Sequence, residues 1–489
     1  QVQAGKSCTA SGVPLQERHL PPAEGDRTGQ GAAVGDLDGD GWLDIFVANH
    51  PKNRILRGGP DGFTEEKDVS GASEVTESVA MADMDADGDL DVFLGGEDGA
   101  FVLVNDGDGA FPELHQVSTK QTWTLGGAWG DLNGDARLDL LVCNHAAVRP
   151  TKEDFEANLL PGGDGSELLF GDGKGGFRDE SAQLASVADL YPSTCLMQDL
   201  DADQDLDLYF VNDFGPWSGP NRVLWNDGEG NFSEEEAGTS GLEIEIMGMG
   251  VAVASLDGGP LPSLLLSSWA EMKLLEPAEG GWVDGTLARG FALEADQQLA
   301  WGVELPDLDN DGDVDAAITF GALPGSILAD DFGFSNPQAE SDVIFTQEGG
   351  QFTQTSAWRI PDPSMGRGLI SADLDRNGSL DLVVTALDDG VHIYQSDCPT
   401  ANWLRVRLAQ RGPNRDAIGA RVELVAGGHT QVAWLHAGGT TFASSGPAEL
   451  HFGLGEATEV ESIRVIWPDG HHSEVGTQPI NSELLLTRQ

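Results

Sequence analysis

The sequence predicts an all-β fold, a seven-bladed β-propeller followed by a smaller β-sandwich-like domain. Three observations predict it. An acidic motif, Asp-x-(Asp/Asn)-x-(Asp/Asn) with a further Asp four residues on, begins at Asp36, Asp83, Asp131, Asp199, Asp307 and Asp373. A degraded seventh copy, Ser255-Leu256-Asp257-Gly258-Gly259, falls between the fourth and the fifth. Short apolar stretches and glycine turns surround each copy in the same order, and the pattern stops at Cys398. Repetition at this period marks units that cannot bury an apolar face alone and must pack on their neighbours.

Each repeat reads as four strands. The first is built from small residues, such as Gly31-Ala32-Ala33-Val34-Gly35 or Gly126-Gly127-Ala128-Trp129-Gly130, and runs into the acidic loop. The second is an apolar run at 43–48, 90–94, 138–143, 206–211, 264–267, 314–319 and 380–385. A third follows at 53–57, 101–105, 221–225, 342–346 and 391–394. A glycine–aromatic turn opens the fourth, at Gly62-Phe63, Gly109-Ala110-Phe111, Gly176-Phe177, Gly230-Asn231-Phe232, Gly281-Trp282 and Gly350-Gln351-Phe352. The seventh repeat lacks this last strand, and 13–20 is the candidate to complete it. Radial closure leaves only short sheet edges; a β-solenoid would need shorter and more regular repeats. The expected organisation is an N-terminal segment 1–28 completing the last blade, a propeller 29–398 and an all-β domain 399–489. Insertions at 146–168, 213–220 and 321–341 are the long loops where binding is expected.

The acidic loops have the spacing of calcium ligands. In Asp36-Leu37-Asp38-Gly39-Asp40-Gly41-Trp42-Leu43-Asp44, carboxylates at positions 1, 3, 5 and 9 alternate with turn residues, and position 7 adds its main-chain carbonyl. Calcium takes six to eight oxygen ligands at about 2.3–2.6 Å, and such a loop wraps them round one ion. The same positions are Asp83, Asp85, Asp87, Asp89 and Asp91; Asp131, Asn133, Asp135, Arg137 and Asp139; Asp199, Asp201, Asp203, Asp205 and Asp207; Asp307, Asp309, Asp311, Asp313 and Asp315; and Asp373, Asp375, Asn377, Ser379 and Asp381. An EF-hand is excluded, because position 12 is Val47, Leu94, Val142, Phe210, Ile318 or Val384, inside a strand, and not Glu. About six Ca2+ sites are expected in all. Magnesium fits less well, since it demands tighter octahedral geometry. Ala136 and Gln204 stand where glycine is preferred, so those two loops should bind more weakly. The Ser255 copy, with Gly259 and Ser263 at positions 5 and 9, should bind none.

The chain carries 82 acidic against 26 basic residues, a net charge of −56. Such a surface repels nucleic acid and anionic membranes. With 39% hydrophobic residues and 12 Trp the chain is nevertheless not of disordered composition. No apolar run is long enough to span a bilayer. Gln1 in place of Met reads as a processed, secreted, extracellular chain, where millimolar calcium is available. Four cysteines without a Cys-x-x-Cys pair suggest two disulfides, of which Cys8–Cys398 and Cys143–Cys195 are the favoured pairing among three, with four free buried thiols the alternative.

The unit Gly-Asp-Leu-Asp-Gly-Asp-Gly-x-Leu-Asp with a later Gly-x-Phe resembles the FG-GAP (VCBS) repeat of integrin α-subunit propellers, over residues 29–397. That resemblance implies seven blades with calcium in their loops. Beyond Pro399, the run Asn414-Arg415-Asp416-Ala417-Ile418-Gly419-Ala420-Arg421-Val422, then Phe452-Gly453-Leu454-Gly455 and Trp467-Pro468-Asp469-Gly470, is similar to the ASPIC/UnbV domain. Together they resemble the cartilage acidic protein family, which implies an extracellular calcium-binding adhesion or matrix protein and no reaction.

No Gly-x-Ser-x-Gly, His-Glu-x-x-His or P-loop occurs, and His471-His472 read as turn residues. The expectation is therefore an adhesion/matrix or structural module. Its partners would be an extracellular protein or glycan, or further copies of itself in a homo-oligomer or filament. The alternative is a hydrolase or lyase acting on extracellular polysaccharide from the propeller channel.

Overall fold

The computed structural model describes residues 2–4, 16–21, 27–69, 75–148, 150–235, 238–269, 271–293, 299–321, 340–355, 365–387, 389–396 and 401–488. Among these, the repeat region forms seven sheets of four antiparallel strands each, one of them joined by a further short strand from the C-terminal domain. The first strands are Arg27–Gly35, Thr76–Ala82, Trp123–Gly130, Pro192–Gln198, Gly248–Ala254, Ala300–Glu304 and Gly366–Ala372. Each packs beside the next, and the last packs beside the first, so the sheets close a ring of propeller type. The second strands, such as Asp91–Gly96 and Asp139–Ala146, are buried throughout because sheets cover both of their faces. That is why they read as continuous apolar runs without alternation.

The seventh sheet is completed from the other end of the chain. Gln16–Leu20 pairs antiparallel with Gly390–Gln395, setting His19 opposite His392. The N-terminal segment is divided, however: Val2–Ala4 pairs with Ser482–Thr487 in the C-terminal domain. The insertion at 146–168 holds a short helix, Lys152–Ala157, with a Thr151 capping box, and 213–220 holds another, Gly215–Ser218. Most of the third insertion, 322–339, lies outside the described residues. No helix is long and apolar enough to cross a membrane among the described residues.

The C-terminal domain is two four-stranded sheets face to face. One has Asn402–Ala409 at its centre, pairing antiparallel with Leu450–Gly455 and parallel with Ser482–Thr487. The other has Arg421–Ala426 between His429–Trp434 and Val460–Ile466. Alternating burial along Arg421–Ala426 marks a sheet with one covered face. Leu404, Val406, Val422, Leu424, Ile463 and Val465 form the core between the sheets. This core is continuous with Ala80, Phe93 and Trp129 of the propeller, so the two domains share apolar packing.

They share more than a surface. The stretch 437–446 leaves the C-terminal domain and enters the propeller channel. Ala437–Gly438 pairs with Trp129 and Ala128 of the third sheet. Ser445 exchanges main-chain hydrogen bonds with Ala32 and Val34 of the first, and the Ala443 carbonyl accepts from Val79 of the second. Thr441 accepts from Thr194 Oγ1 of the fourth at its carbonyl, donates its amide to Val251 of the fifth, and accepts from the Val303 amide of the sixth at its hydroxyl. Against the seventh, a β-carbon on Gly368 would collide with Ser444 Oγ. One segment thus touches the inner strand of every sheet. Glycine makes this approach possible: a β-carbon on Gly31 would overlap the Ala443 carbonyl, and one on Gly438 the Gly127 carbonyl. Phe442, at the innermost turn, is buried against Trp301, Met249 and Trp269.

Candidate metal centres

The acidic loops follow the inner strands, all at one end of the ring, and repeat one hydrogen-bond pattern, save that Asp199 accepts from the amide of position 4, Ala202, in place of position 6. The position-1 carboxylate accepts from the amide of position 6, as Asp36 Oδ2 does from Gly41 (3.0 Å) and Asp307 Oδ2 from Gly312 (2.9 Å). Position 3 accepts from the amide of position 5, and position 5 from that of position 7, as in Asp38–Asp40–Trp42 and Asp309–Asp311–Asp313. These Asx turns coil the chain and occupy one oxygen of most groups, and both oxygens of Asp83, Asp131 and Asp373. The coil requires left-handed backbone at two positions. Position 4 has φ of 62–66° at Ala86, Ala202 and Asn310, and position 6 is left-handed even where it is Ala136 (65°) or Gln204 (84°). The sequence reading assigned this demand to position 6 alone.

Carboxylate oxygens of the loops also converge. In the groups Asp36/Asp38/Asp40, Asp83/Asp85/Asp91, Asp199/Asp201/Asp203 and Asp307/Asp309/Asp311, one oxygen from each residue lies within 4.8 Å of the others. That span is about twice a calcium–oxygen bond, the widest separation of two ligands on one ion. Three carboxylate oxygens of these loops, Asp36 Oδ1, Asp205 Oδ1 and Asp307 Oδ1, are buried without a hydrogen-bond partner. A buried carboxylate oxygen left so is costly unless a cation completes it, and the donor set fits calcium. In the Asp131 and Asp373 loops, Asn133 and Asn377 replace a carboxylate and accept the same amide hydrogen bonds. The Ser255 copy closes differently: Ser255 Oγ donates to the Gly259 carbonyl (3.0 Å) and Asp257 accepts from the Gly259 amide (2.8 Å).

Position 9 has a second task that the sequence did not reveal. Asp44, Asp91, Asp139, Asp207, Asp315 and Asp381 each accept from the amide of position 2 on one oxygen. Their other oxygens accept from the amides of Gly58, Asn105, Gly171, Asn226, Gln347 and Ser396, where the third strand ends. Each thus ties the loop to its own sheet. Burial is the main cause of raised pKa values here, up to about 6 for Asp44, about 7 for Asp91 and Asp315, and about 8 for Asp139 and Asp207. Burial, then the charge of Asp315, holds Asp307 well above the usual range. Burial thus favours the protonated form of these carboxyls when no cation compensates them.

The C-terminal domain covers this face and brings arginines to it. Arg405 Nη1 stands 3.5 Å from Asp373 Oδ2 while Nη2 donates to Glu483 (2.6 Å). Arg421 Nη1 is 3.8 Å from Asp199 Oδ2, and His451 Nε2 is 2.6 Å from Asn310 Oδ1. Between the domains lies a cavity of about 230 Å3 lined by Glu304, Asp307, His436, Glu449 and His451 among others. On the opposite face the insertions gather Trp123, His145, Phe155, Tyr191, Phe214 and Trp217 into one aromatic cluster. Cys143 and Cys195 form a disulfide joining the third and fourth sheets. Cys8 and Cys398 lie outside the described residues.

Comparison with known families matches FG-GAP-like repeats at residues 36–94 and 83–142, and ASPIC and UnbV at residues 410–489. The chain carries FG-GAP-like repeats and a C-terminal ASPIC and UnbV domain. The matched FG-GAP repeats span the first three loops; the remaining acidic loops share their bonds from positions 5 and 7 to positions 3 and 5. No curated protein matches the chain. Among solved structures, an Agrocybe aegerita lectin that recognises non-reducing terminal N-acetylglucosamine is 15% identical, with 71% of this chain and 81% of that chain covered and a TM-score of 0.44. The exotype rhamnogalacturonan lyase YesX is 13% identical, over 79% of this chain and 76% of that one, at 0.42. A Bacillus licheniformis rhamnogalacturonan lyase is 13% identical, over 79% and 75%, at 0.40.

Proposed function

We propose that this protein is a calcium-dependent extracellular module that acts by binding and not by catalysis. The observation that carries the reading is the convergence of carboxylate oxygens in four of the six acidic loops, with buried oxygens among them that no protein group satisfies. Asp36, Asp38 and Asp40, and their counterparts at Asp83, Asp199 and Asp307, would hold the ions, with the carbonyls of position 7 completing the shell. Calcium bound there supplies charge compensation and rigidity. Sites of this open kind work at about 0.1–1 mM, which suits the extracellular space.

The filled channel favours binding over catalysis. Propeller enzymes use the channel mouth, and here 437–446 occupies it from the side of the C-terminal domain. The partner would be a protein or glycan, or a second copy of the chain, docking on the insertion-bearing face where the aromatic cluster sits. Strong negative charge repels the phosphate backbone and argues against nucleic acid as the partner.

Metal analysis and calorimetry on the full chain test the reading. Four or more calcium ions per chain, lost on adding EGTA together with a lower melting temperature, are expected. A chain that folds with the same melting temperature and binds no calcium at 10 mM would sink it.

A further inference from the structure

One residue of the inner strands departs from the pattern of the other six. Three places ahead of position 1 stand Ala33, Ala80, Ala128, Leu196, Ala252 and Ile370, none more than 3% exposed. Each packs in the apolar layer between its own sheet and the next. In the sixth sheet that place is Glu304, which pairs with Ala317 as Ala33 pairs with Phe46. A carboxyl set into such a layer is costly unless a counter-group answers it. Ser371 of the seventh sheet is within hydrogen-bonding reach, but no charged side chain among the described residues acts on Glu304. Burial accordingly pushes its carboxyl up to about 8.

Glu304 opens onto the cavity of about 230 Å3 between the propeller and the C-terminal domain, which is not sealed from solvent. No lysine or arginine lines that space among the described residues. Its other two carboxylates are answered elsewhere. Asp307 belongs to a calcium loop, and Glu449 Oε1 lies 3.6 Å from Arg405 Nη1. Burial lowers His436 to about 4 and His451 to about 3, so neither imidazole is a cation near neutral pH. The charge left without a counter-charge is that of Glu304. The rest of the wall is largely apolar, with Leu305, Val314, Leu380, Trp434, Leu450 and Phe452.

We propose that this cavity binds a small organic monocation, an ammonium group on an apolar body, with Glu304 as its counter-charge. Apolar walls with a few placed polar groups are the usual make-up of a small-molecule site. The ammonium group supplies the positive charge that Glu304 lacks and favours its ionised form. An anion would meet only carboxylates, and a bare metal ion would leave most of the space and its apolar wall unfilled. Size sets the body. A cavity of about 150 Å3 holds benzene, so one of about 230 Å3 has room for roughly nine heavy atoms. The site lies on the loop side of the channel, away from the insertion-bearing face, so its occupant and a partner docked there do not compete.

The test uses the full chain with millimolar calcium, which fills the acidic loops, and about 0.15 M salt, which screens the acidic surface. Benzylamine, benzyl alcohol and benzoate are three probes of one size and different charge, titrated by calorimetry. One benzylamine per chain is expected, bound about ten- to hundredfold more tightly than benzyl alcohol, as a charge-assisted hydrogen bond allows, with benzoate unbound. Glu304→Gln should erase the preference for the amine. Glu304→Leu should do the same, and it installs the side chain that Leu196 supplies at this place in the fourth sheet. An unchanged circular dichroism spectrum checks that each variant folds. Three results would each overturn the proposal: no binding of benzylamine, equal binding of benzylamine and benzyl alcohol, or a preference for the amine that survives in the variants. Glu304 would then be a buried acid hydrogen-bonded to Ser371 only.

Discussion

Replacing Phe442 by alanine probes the joint between the two domains. Phe442 is 1% exposed, and its ring centre lies 5.0 Å from that of Trp301. Removing a buried phenylalanine costs about 3–5 kcal/mol, from lost transfer energy and the cavity left behind. That is a hundred- to several-thousandfold change in the folding equilibrium, roughly. Because 437–446 touches the inner strand of all seven sheets, the cost should fall on the propeller as much as on the domain that donates the segment. Urea unfolding can be followed by the fluorescence of Trp301 and its neighbours and, separately, by circular dichroism. Both probes should give one coincident transition, shifted to lower urea in the variant. A loss under about 1 kcal/mol, or two transitions of which only the C-terminal one moves, would refute the view that this segment holds the ring together.

The remaining expectations concern the loops and the buried histidines. With affinities of about 0.1–1 mM, each occupied site adds about 1.4–2.7 kcal/mol at 10 mM calcium, so the four converging groups together add roughly 6–11 kcal/mol; thermal melts with and without EGTA measure this. Asp309→Ala, which loses one exposed turn hydrogen bond from the Asp311 amide, should lower stability much more when calcium is present, whereas Asp315→Ala should lower it by about 2–6 kcal/mol in either case, because it strands the amides of Leu308 and Gln347. Asp257→Ala, in the copy without converging carboxylates, should leave the calcium response unchanged. In calcium-free buffer, Asp91, Asp139, Asp207 and Asp315 have raised folded values of about 7 to 8, so the native chain holds more protons than the unfolded one above pH 4. Stability should then fall as pH rises from 5 to 8, and calcium should flatten that slope. Burial lowers His436 to about 4 and His451 to about 3, so with calcium present stability should instead fall as pH drops from 6.5 towards 4; melting temperatures across this range check both signs.

What the sequence by itself determined was whatever repeats locally. Each acidic loop carries its own turn residues and ligand spacing within nine residues, so six loops, the degenerate Ser255 copy and the four-strand repeat could all be read in order. The small residues of the first strands were visible too, but not their reason. Gly31 and Gly438 are small because main chain from elsewhere passes against them, and no local pattern reports a contact across hundreds of residues. The double role of Asp44 and its counterparts was hidden likewise, since the amides of Gly58 or Gln347 reach them only once the third strand has folded back. Tertiary structure alone decided that the C-terminal domain covers the loop face with Arg405 and Arg421, that its 437–446 segment fills the channel, and that Val2–Ala4 leaves the propeller for the other domain. Closing the ring brought His19 to His392 across 373 residues of chain for the same physical reason: the last sheet lacks a strand, and an unpaired edge takes the segment whose side chains and register fit.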